Sequence, residues 1–379
     1  MRDAVIVEAV RTPVGKRNGG LSGMHPANLS AHVLEALAER SGIDPALVDD
    51  VIWGCVSQAG EQTADIARTA VLAAGWPDTV PGFTIDRQCG SSQQSVHSAA
   101  AGLIADQYDV VVAGGVESMS RVPMGASTGG QDPYGDRFLA RFGGVPNQGI
   151  GAEMIAERWG FSRTQLDEFS VASHEKAAAA QDEGRFDAQI APVPTDAGLV
   201  RQDEGIRRGS TVETLATLKT PFKPDGVITA GNASQISDGS AALLMMTSEK
   251  ARELGLTPIA RVHTAVLAGA DPGIMLTAPI PATQKALKRS GLTIDQIGAF
   301  EVNEAFAPVP LAWLAEVGAD PKALNPNGGA IALGHPLGGS GARIMTTLVH
   351  HMRDNGIRYG LQTMCEGGGQ ANATILELL

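Results

Sequence analysis

Cysteine occurs at positions 55, 89 and 365, and the surroundings of Cys89 are those of a reactive thiol. Cys89 lies in Asp86-Arg87-Gln88-Cys89-Gly90-Ser91-Ser92-Gln93-Gln94. Residues 81–85 before it read as a short strand, and 95–104 after it as a helix of small residues. A thiol at such a junction meets unpaired first-turn N–H groups and the positive end of the helix dipole, which favour a thiolate. The bland alternative is a buried cysteine serving as a small hydrophobe, the commoner fate of a lone thiol.

Other segments shift the balance. Glu301-Val302-Asn303-Glu304-Ala305-Phe306-Ala307 ends a strand before an apolar helix, and Asn303 alone would suit a helix N-cap. In the run from Asn325 to Gly341, His335 stands between Gly334 and Pro336 at the mouth of a helix. A single histidine is usually structural, but a frame so dense in glycine fixes its backbone and fits a general base. Met364-Cys365-Glu366-Gly367-Gly368-Gly369-Gln370 closes a strand with another thiol and turns through glycines. It is either a plain turn or a pocket of N–H groups open to an oxyanion. Neither GxxxxGK[ST] nor a GxGxxG after a strand occurs, so nucleotide hydrolysis and dinucleotide binding have no motif.

Composition narrows the classes further. A net charge of −12 over 379 residues disfavours nucleic acid and anionic membranes as partners. Hydrophobic content of 43% with 18% charged residues supports a large core rather than disorder. Without CxxC or a His/Cys cluster no metal is expected, and an odd cysteine count argues against a disulfide framework. The chain carries no signal-peptide pattern and no apolar run of membrane-spanning length, so a cytoplasmic location is expected.

Strands at 4–10, 51–56, 109–113 and 241–247 alternate with helices at 26–41, about 65–74, and 91–105. That alternation predicts an α/β fold with a mostly parallel sheet covered on both faces. Gly114-Gly115 reads as the end of the 109–113 strand. Gly, Pro and polar residues dominate 121–150, and helices at 151–159 and 163–183 follow, as expected of an insertion. A repeat also shows. Glu35-Ala36-Leu37-Ala38-Glu39-Arg40-Ser41-Gly42 resembles Lys285-Ala286-Leu287-Lys288-Arg289-Ser290-Gly291, each followed by an acidic connector and a strand. Helix 91–105 with strand 109–113 likewise matches helix 338–353 with strand 359–364, at the same offset of about 250 residues. The expected organisation is a duplicated core: residues 1–118 completed by about 241–258, an insertion at 119–240, and a second half at 259–379.

Together Arg87-Gln88-Cys89-Gly90-Ser91-Ser92, Asn303-Glu304-Ala305-Phe306, Gly334-His335-Pro336 and Cys365-Glu366-Gly367-Gly368-Gly369 resemble the signature blocks of the thiolase family, in that family's order. The resemblance runs from Val10-Arg11-Thr12-Pro13-Val14-Gly15 to the C-terminus. It implies a five-layer αβαβα core with an inserted loop domain, and thiolytic cleavage of 3-oxoacyl-CoA by CoA. On the family pattern Cys89 is the nucleophile, His335 deprotonates it, and Asn303 positions a water in an oxyanion site shared with His335. Cys365 is the acid and base of the other half-reaction, and the N–H groups of Cys89 and Gly367 form a second oxyanion hole. Arg207, Phe222, Ala230 and Ser234, the last in Gly231-Asn232-Ala233-Ser234, match positions that contact CoA. The resemblance further implies no resident cofactor, CoA and acyl-CoA thioesters as the small-molecule partners, and a homodimer or homotetramer.

The chain departs from the short-chain biosynthetic members in several places: Asn147-Gln148-Gly149-Ile150, Gly90-Ser91-Ser92-Gln93-Gln94, and Leu276 after Met275. These departures are expected around the acyl pocket and the nucleophile's helix. The pattern is closer to degradative and steroid-ring-catabolic thiolases, with an acetyl-CoA acetyltransferase as the alternative.

Overall fold

A computed structural model describes residues 2–379. Its strands, in chain order, are β1 (Val5–Arg11), β2 (Gly15–Lys16), β3 (Asp50–Gly54), β4 (Phe83–Ile85), β5 (Val110–Ser118), β6 (Val193–Thr195), β7 (Gly198–Val200), β8 (Ser237–Met246), β9 (Ala260–Gly269), β10 (Ala299–Val302), β11 (Tyr359–Glu366) and β12 (Gln370–Leu378). In the first half β4 and β5 flank β3 in parallel, β8 runs antiparallel to β5, and β1 antiparallel to β8. The second half repeats this order: β10 is parallel to β11, β12 antiparallel to β11, and β9 antiparallel to β12. Even the edge is echoed, since Ile52 pairs with Phe83 of β4 and Phe300 makes an isolated parallel bridge to Leu324. Val5 and Ile6 pair with Arg261 and Ala260, which joins the halves into one sheet. The repeated Arg-Ser-Gly stops therefore mark a repeat of strand order.

Side-chain alternation along the strands assigns the layers. Val51, Trp53, Val110 and Val112 face Leu29, Val33 and Leu37 of the helix Pro26–Ser41 on the outside. Ile52, Val111 and Ala113 point the other way, onto Val96 and Leu103 of Ser91–Ile104 and Met345 and Leu348 of Ser340–Asn355. On the far side Phe300, Leu361 and Ile375 pack on Ala282 and Ala286 of Pro279–Ser290 and Trp313 of Pro308–Val317. Two helices thus lie between the halves, and others cover each outer face. No helix of the described residues is long and apolar enough to cross a membrane.

The sheet is mixed and not mostly parallel as expected: only β3 with β4, β3 with β5 and β10 with β11 pair in parallel, because β8 and β12 return antiparallel beside β5 and β11. Two local expectations also change. Gly114 and Gly115 do not end a strand; they sit inside β5. A Cβ at Gly114 would lie 2.4 Å from the Trp53 ring, and one at Gly115 would lie 2.4 Å from Gly338 O, so these glycines make room. The stretch 121–150 also holds a helix, Gly135–Phe142, along which the rings of exposed Tyr134 at its start, half-buried Phe138 and exposed Phe142 follow one another at 4.8 and 4.9 Å. The next helix starts at Gln148, because Asn147 Oδ1 accepts the Gly149 N–H at 2.9 Å and caps it.

The central helices touch at their N-termini. A Cβ at Gly341 would stand 2.2 Å from Gln93 N, and Ala342 N–H donates to Ser92 Oγ at 2.8 Å. Gly341→Ala is expected to cost about 1–3 kcal/mol by overpacking and to lower activity with it. Urea unfolding alongside a turnover assay checks this, and wild-type stability in the variant would show that the helices are free to separate.

Candidate active site

Each candidate catalytic residue is delivered by a strand end or a helix start. Cys89 follows β4 through Gln88, whose φ of +49° is uncommon for a residue with a side chain. Asp86 Oδ1 accepts the Gln88 N–H at 2.6 Å, and Ser91 Oγ donates to Gln88 O at 2.6 Å, which holds that conformation. Asn303 comes one residue after β10, and its N–H donates to Thr363 O of β11 at 3.1 Å. Cys365 lies two residues further along β11, so both groups emerge from the same ends of neighbouring parallel strands, where ligand sites gather. Asn303 is not a helix cap, because the following helix begins only at Pro308.

His335 is held at the backbone: its N–H lies 3.2 Å from both Gln235 O and Ser237 Oγ. Gly334, at φ +100°, has Ser237 Oγ 2.3 Å from where a Cβ would be, so only glycine fits there. The His335 Nε2 is 3.4 Å from Asn303 Nδ2, and Nδ1 is 2.6 Å from Ser340 Oγ. Asn303 Oδ1 is buried without a partner among the described residues, which fits a water held there. Cys89 shares an apolar cluster with Leu337, two residues past His335, and Met364, next to Cys365. A Cβ at Gly367 would stand 2.7 Å from Gln88 Oε1, so the last block also touches the Cys89 loop. The blocks converge on one buried place.

Burial dominates the electrostatics there. It pushes the Cys89 thiol well above its ordinary value, with the charges of Cys365 and Glu366 adding to the effect. It raises Cys365 to about 12, helped by Glu366. It pushes His335 down to about 3, with the Arg343 guanidinium acting in the same direction. The resting pair is therefore a neutral thiol and a neutral imidazole. This corrects the expectation of a helix-favoured thiolate: the helix begins at Ser91, Cys89 precedes its cap, and burial outweighs the dipole.

Several functional supports were missed in the sequence. Glu304 is a buried hub that accepts from Ser173 Oγ at 2.7 Å, Asn325 Nδ2 at 2.8 Å and Ile331 N at 3.2 Å. Glu117 accepts from the N–H groups of Val56, Ser57 and Gly338 and from Gln62 Nε2, which ties the His335 loop to the ends of β3 and β5. The one signal for Glu117 was a carboxylate following the apolar run of residues 110–116. Gln93 lies on the helix that follows Cys89, as expected, and donates to Gln362 O at 3.2 Å and Thr374 Oγ1 at 2.7 Å in the second half. Leu276 does lie in the apolar cluster around Cys365, with Ala152, Met275 and Phe306.

The candidate CoA positions spread over the insertion. Arg207 is exposed and lines a cavity of about 370 Å3 with Val171, His174, Glu175 and Ser210. Its N–H donates to His174 Nδ1 at 3.1 Å, a contact without a sequence signal. Arg208 lines the same cavity but is paired with Asp182 through two bonds of 2.7 Å. Phe222 meets Phe306 edge-on with ring centres 6.1 Å apart. Ser234 N–H donates to Ala305 O at 2.9 Å, which joins that segment to the Asn303 block, while Ala230 is exposed.

Comparison with known proteins agrees with this arrangement. The family model "Thiolase, N-terminal domain" matches residues 4–249, and "Thiolase, C-terminal domain" matches residues 256–378. This chain belongs to the thiolase family. The thiolase is 49% identical to the steroid 3-ketoacyl-CoA thiolase FadA6 of Mycobacterium tuberculosis, over all of this chain and 95% of that one. It is 45% identical to a 3-ketoacyl-CoA thiolase of Pseudoalteromonas translucida, over 100% of this chain and 99% of the other. The crystal structure of the Bacillus anthracis acetyl-CoA acetyltransferase superposes with a TM-score of 0.92 at 39% identity, covering 100% of this chain and 99% of that one.

The neutral resting state of this thiolase has a readout. Alkylation of Cys89 by iodoacetamide, followed by intact mass, is expected to speed up roughly tenfold per pH unit between about pH 7 and 9 without levelling off. A plateau below pH 8 would mean that a thiolate exists in the free enzyme.

Proposed function

We propose that this thiolase cleaves a 3-oxoacyl-CoA with CoA, giving acetyl-CoA and an acyl-CoA shortened by two carbons. The observation that carries the reading is a pair of buried thiols, Cys89 and Cys365, close enough for their charges to act on one another, with His335 and Asn303 in contact at 3.4 Å. A lone thiol would support acyl transfer; carbon–carbon cleavage needs a second group that gives and takes a proton.

In the first half-reaction His335 Nε2 takes the Cys89 proton as the sulfur attacks the 3-oxo carbon. The C2–C3 bond breaks, the acyl group stays on Cys89 as a thioester, and Cys365 protonates C2 of the departing acetyl-CoA enolate. His335 and the water on Asn303 face the enolate oxygen. In the second half-reaction the Cys365 thiolate takes the proton of CoA, whose sulfur attacks the acyl group. The N–H groups of Cys89 and Gly367 receive the developing oxyanion, and His335 returns its proton to the departing Cys89 sulfur. Charge and protons balance over the cycle, and CoA enters and leaves as a substrate without a resident cofactor. Preorganised donors of this kind are each worth about two to three orders of magnitude in rate.

Arg207 supplies local positive charge for the nucleotide end of CoA on a protein of net charge −12. Phe222, Ala230 and Ser234 line the way from there to the Asn303 block. The leaning toward a bulky acyl group rests on the sequence departures along this wall, where the helix Gln148–Trp159 packs Gly149 against the Phe222 ring and Gly151 against Ile274 O. Ala152, Met275 and Leu276 continue that wall beside Cys365. The relative named as a steroid 3-ketoacyl-CoA thiolase supports the same leaning.

Two outcomes test the reading. A 3-ketoacyl-CoA bearing a ring or a long chain is expected to exceed acetoacetyl-CoA in kcat/KM by roughly tenfold or more; turnover of acetoacetyl-CoA alone would favour an acetyl-CoA acetyltransferase. Incubation with acyl-CoA should leave an acyl adduct by intact mass in the wild type and none in Cys89→Ala. An adduct that survives that substitution rules out Cys89 as the nucleophile.

A further inference from the structure

We infer that Ser340 selects the tautomer of His335, holding the ring proton on Nδ1 so that Nε2 presents a lone pair to the site. The inference rests on the role proposed above for His335 as the base toward Cys89.

Ser340 is fully buried at the first turn of Ser340–Asn355. Its Oγ lies 2.8 Å from Pro336 O and 2.6 Å from His335 Nδ1. A hydroxyl carries one proton, and a carbonyl oxygen can only accept. If Ser340 donates to Pro336 O, its own oxygen is left to accept, and Nδ1 must carry the hydrogen. All three groups are then satisfied. If instead Ser340 donates to Nδ1, the 2.8 Å contact with Pro336 O sets lone pair against lone pair.

The opposite side of the ring points the same way. Asn303 Nδ2, an obligate donor, faces Nε2 at 3.4 Å. A hydrogen on Nε2 would meet another donor there, whereas a lone pair is compatible with it. The two contacts come from different parts of the fold: Asn303 from the end of β10, and Ser340 from a central helix. They agree on one tautomer.

The consequence is specific to proton transfer. With the hydrogen on Nδ1, Nε2 can take the Cys89 proton, and the resulting imidazolium keeps its Nδ1–H bond to Ser340 while Nε2–H points to the substrate oxygen. No rotation of Ser340 is needed at any step. With the hydrogen on Nε2, the ring has no lone pair facing the site and cannot act as the base. Ser340 does not touch the reacting atoms; it is a positioning residue that acts through His335.

The test reads the tautomer directly. Nitrogen-15 histidine NMR of the intact enzyme, with the His335 signals assigned by their loss in His335→Asn, is expected to show the Nδ1–H form. In Ser340→Ala those signals should move toward the Nε2–H form. Single-turnover acylation of Cys89 should slow by about 10- to 100-fold, as for other lost orienting partners, with CoA affinity unchanged. Ser340→Thr, which restores a hydroxyl, should recover the rate. An Nε2–H form in the wild type, or wild-type acylation in Ser340→Ala, overturns the inference. The wild-type spectrum decides even where a variant does not fold. If His335→Asn itself acylates at the wild-type rate, the role of His335 fails instead, whatever tautomer the ring adopts.

Discussion

Two helices meet end-on over one glycine, and the site depends on that contact. Gly341 stands where a Cβ would be 2.2 Å from Gln93 N, so Ser91–Ile104 and Ser340–Asn355 approach more closely than any side chain would allow. Cys89 lies just before one of these helices and His335 just before the other, so the approach of the helices is the approach of thiol and imidazole. The contact is held from both sides. Glu117 fixes Gly338 through its N–H at 2.8 Å, and Gln93 fixes the helix to Thr374 at 2.7 Å in the second half. Both anchors are buried polar groups, and removing one partner of such a bond leaves the other unpaired at a cost of about 1–3 kcal/mol.

The duplication makes this convergence possible. The central layer is formed by one helix from each half, Ser91–Ile104 directly after β4 and Ser340–Asn355 directly before β11. The first half delivers Cys89 after β4. The second delivers Asn303 after β10, Cys365 at the end of β11 and His335 ahead of the matching helix. The proposed nucleophile Cys89 and its proposed base His335 therefore come from different halves.

Much of this was legible in the sequence because glycine and periodicity record backbone constraints directly. The Arg-Ser-Gly stops exposed the duplication, and Gly334 and Gly367 marked the close approaches they were read to mark. Contacts that depend on distant side chains were not legible. Glu304 reads as a first-turn carboxylate beside Asn303; its bonds to Ser173, Asn325 and Ile331 join segments far apart in the chain. Gln93 reads as a departure on the helix after Cys89, and its bridge from that helix to β11 and β12 has no local signal. The helix Gly135–Phe142 escaped notice because glycine and proline surround its short aromatic stripe. Local pattern shows where a residue sits along an element, and only the assembled fold shows what its side chain reaches.

The thiolate expectation failed for a reason that bears on the chemistry. A helix start favours negative charge, but burial acts more strongly, raising Cys89 and Cys365 and lowering His335 to about 3. A dry site therefore favours the neutral forms of both the thiol and the imidazole before substrate enters. The same dryness protects the next step. A thiolase acyl-enzyme must wait for a CoA thiol in the presence of far more abundant water, and a thioester at a place as buried as Cys89 is shielded from hydrolysis during that wait. Burial that makes the nucleophile harder to ionise is therefore what lets the acyl-enzyme partition toward the thiol.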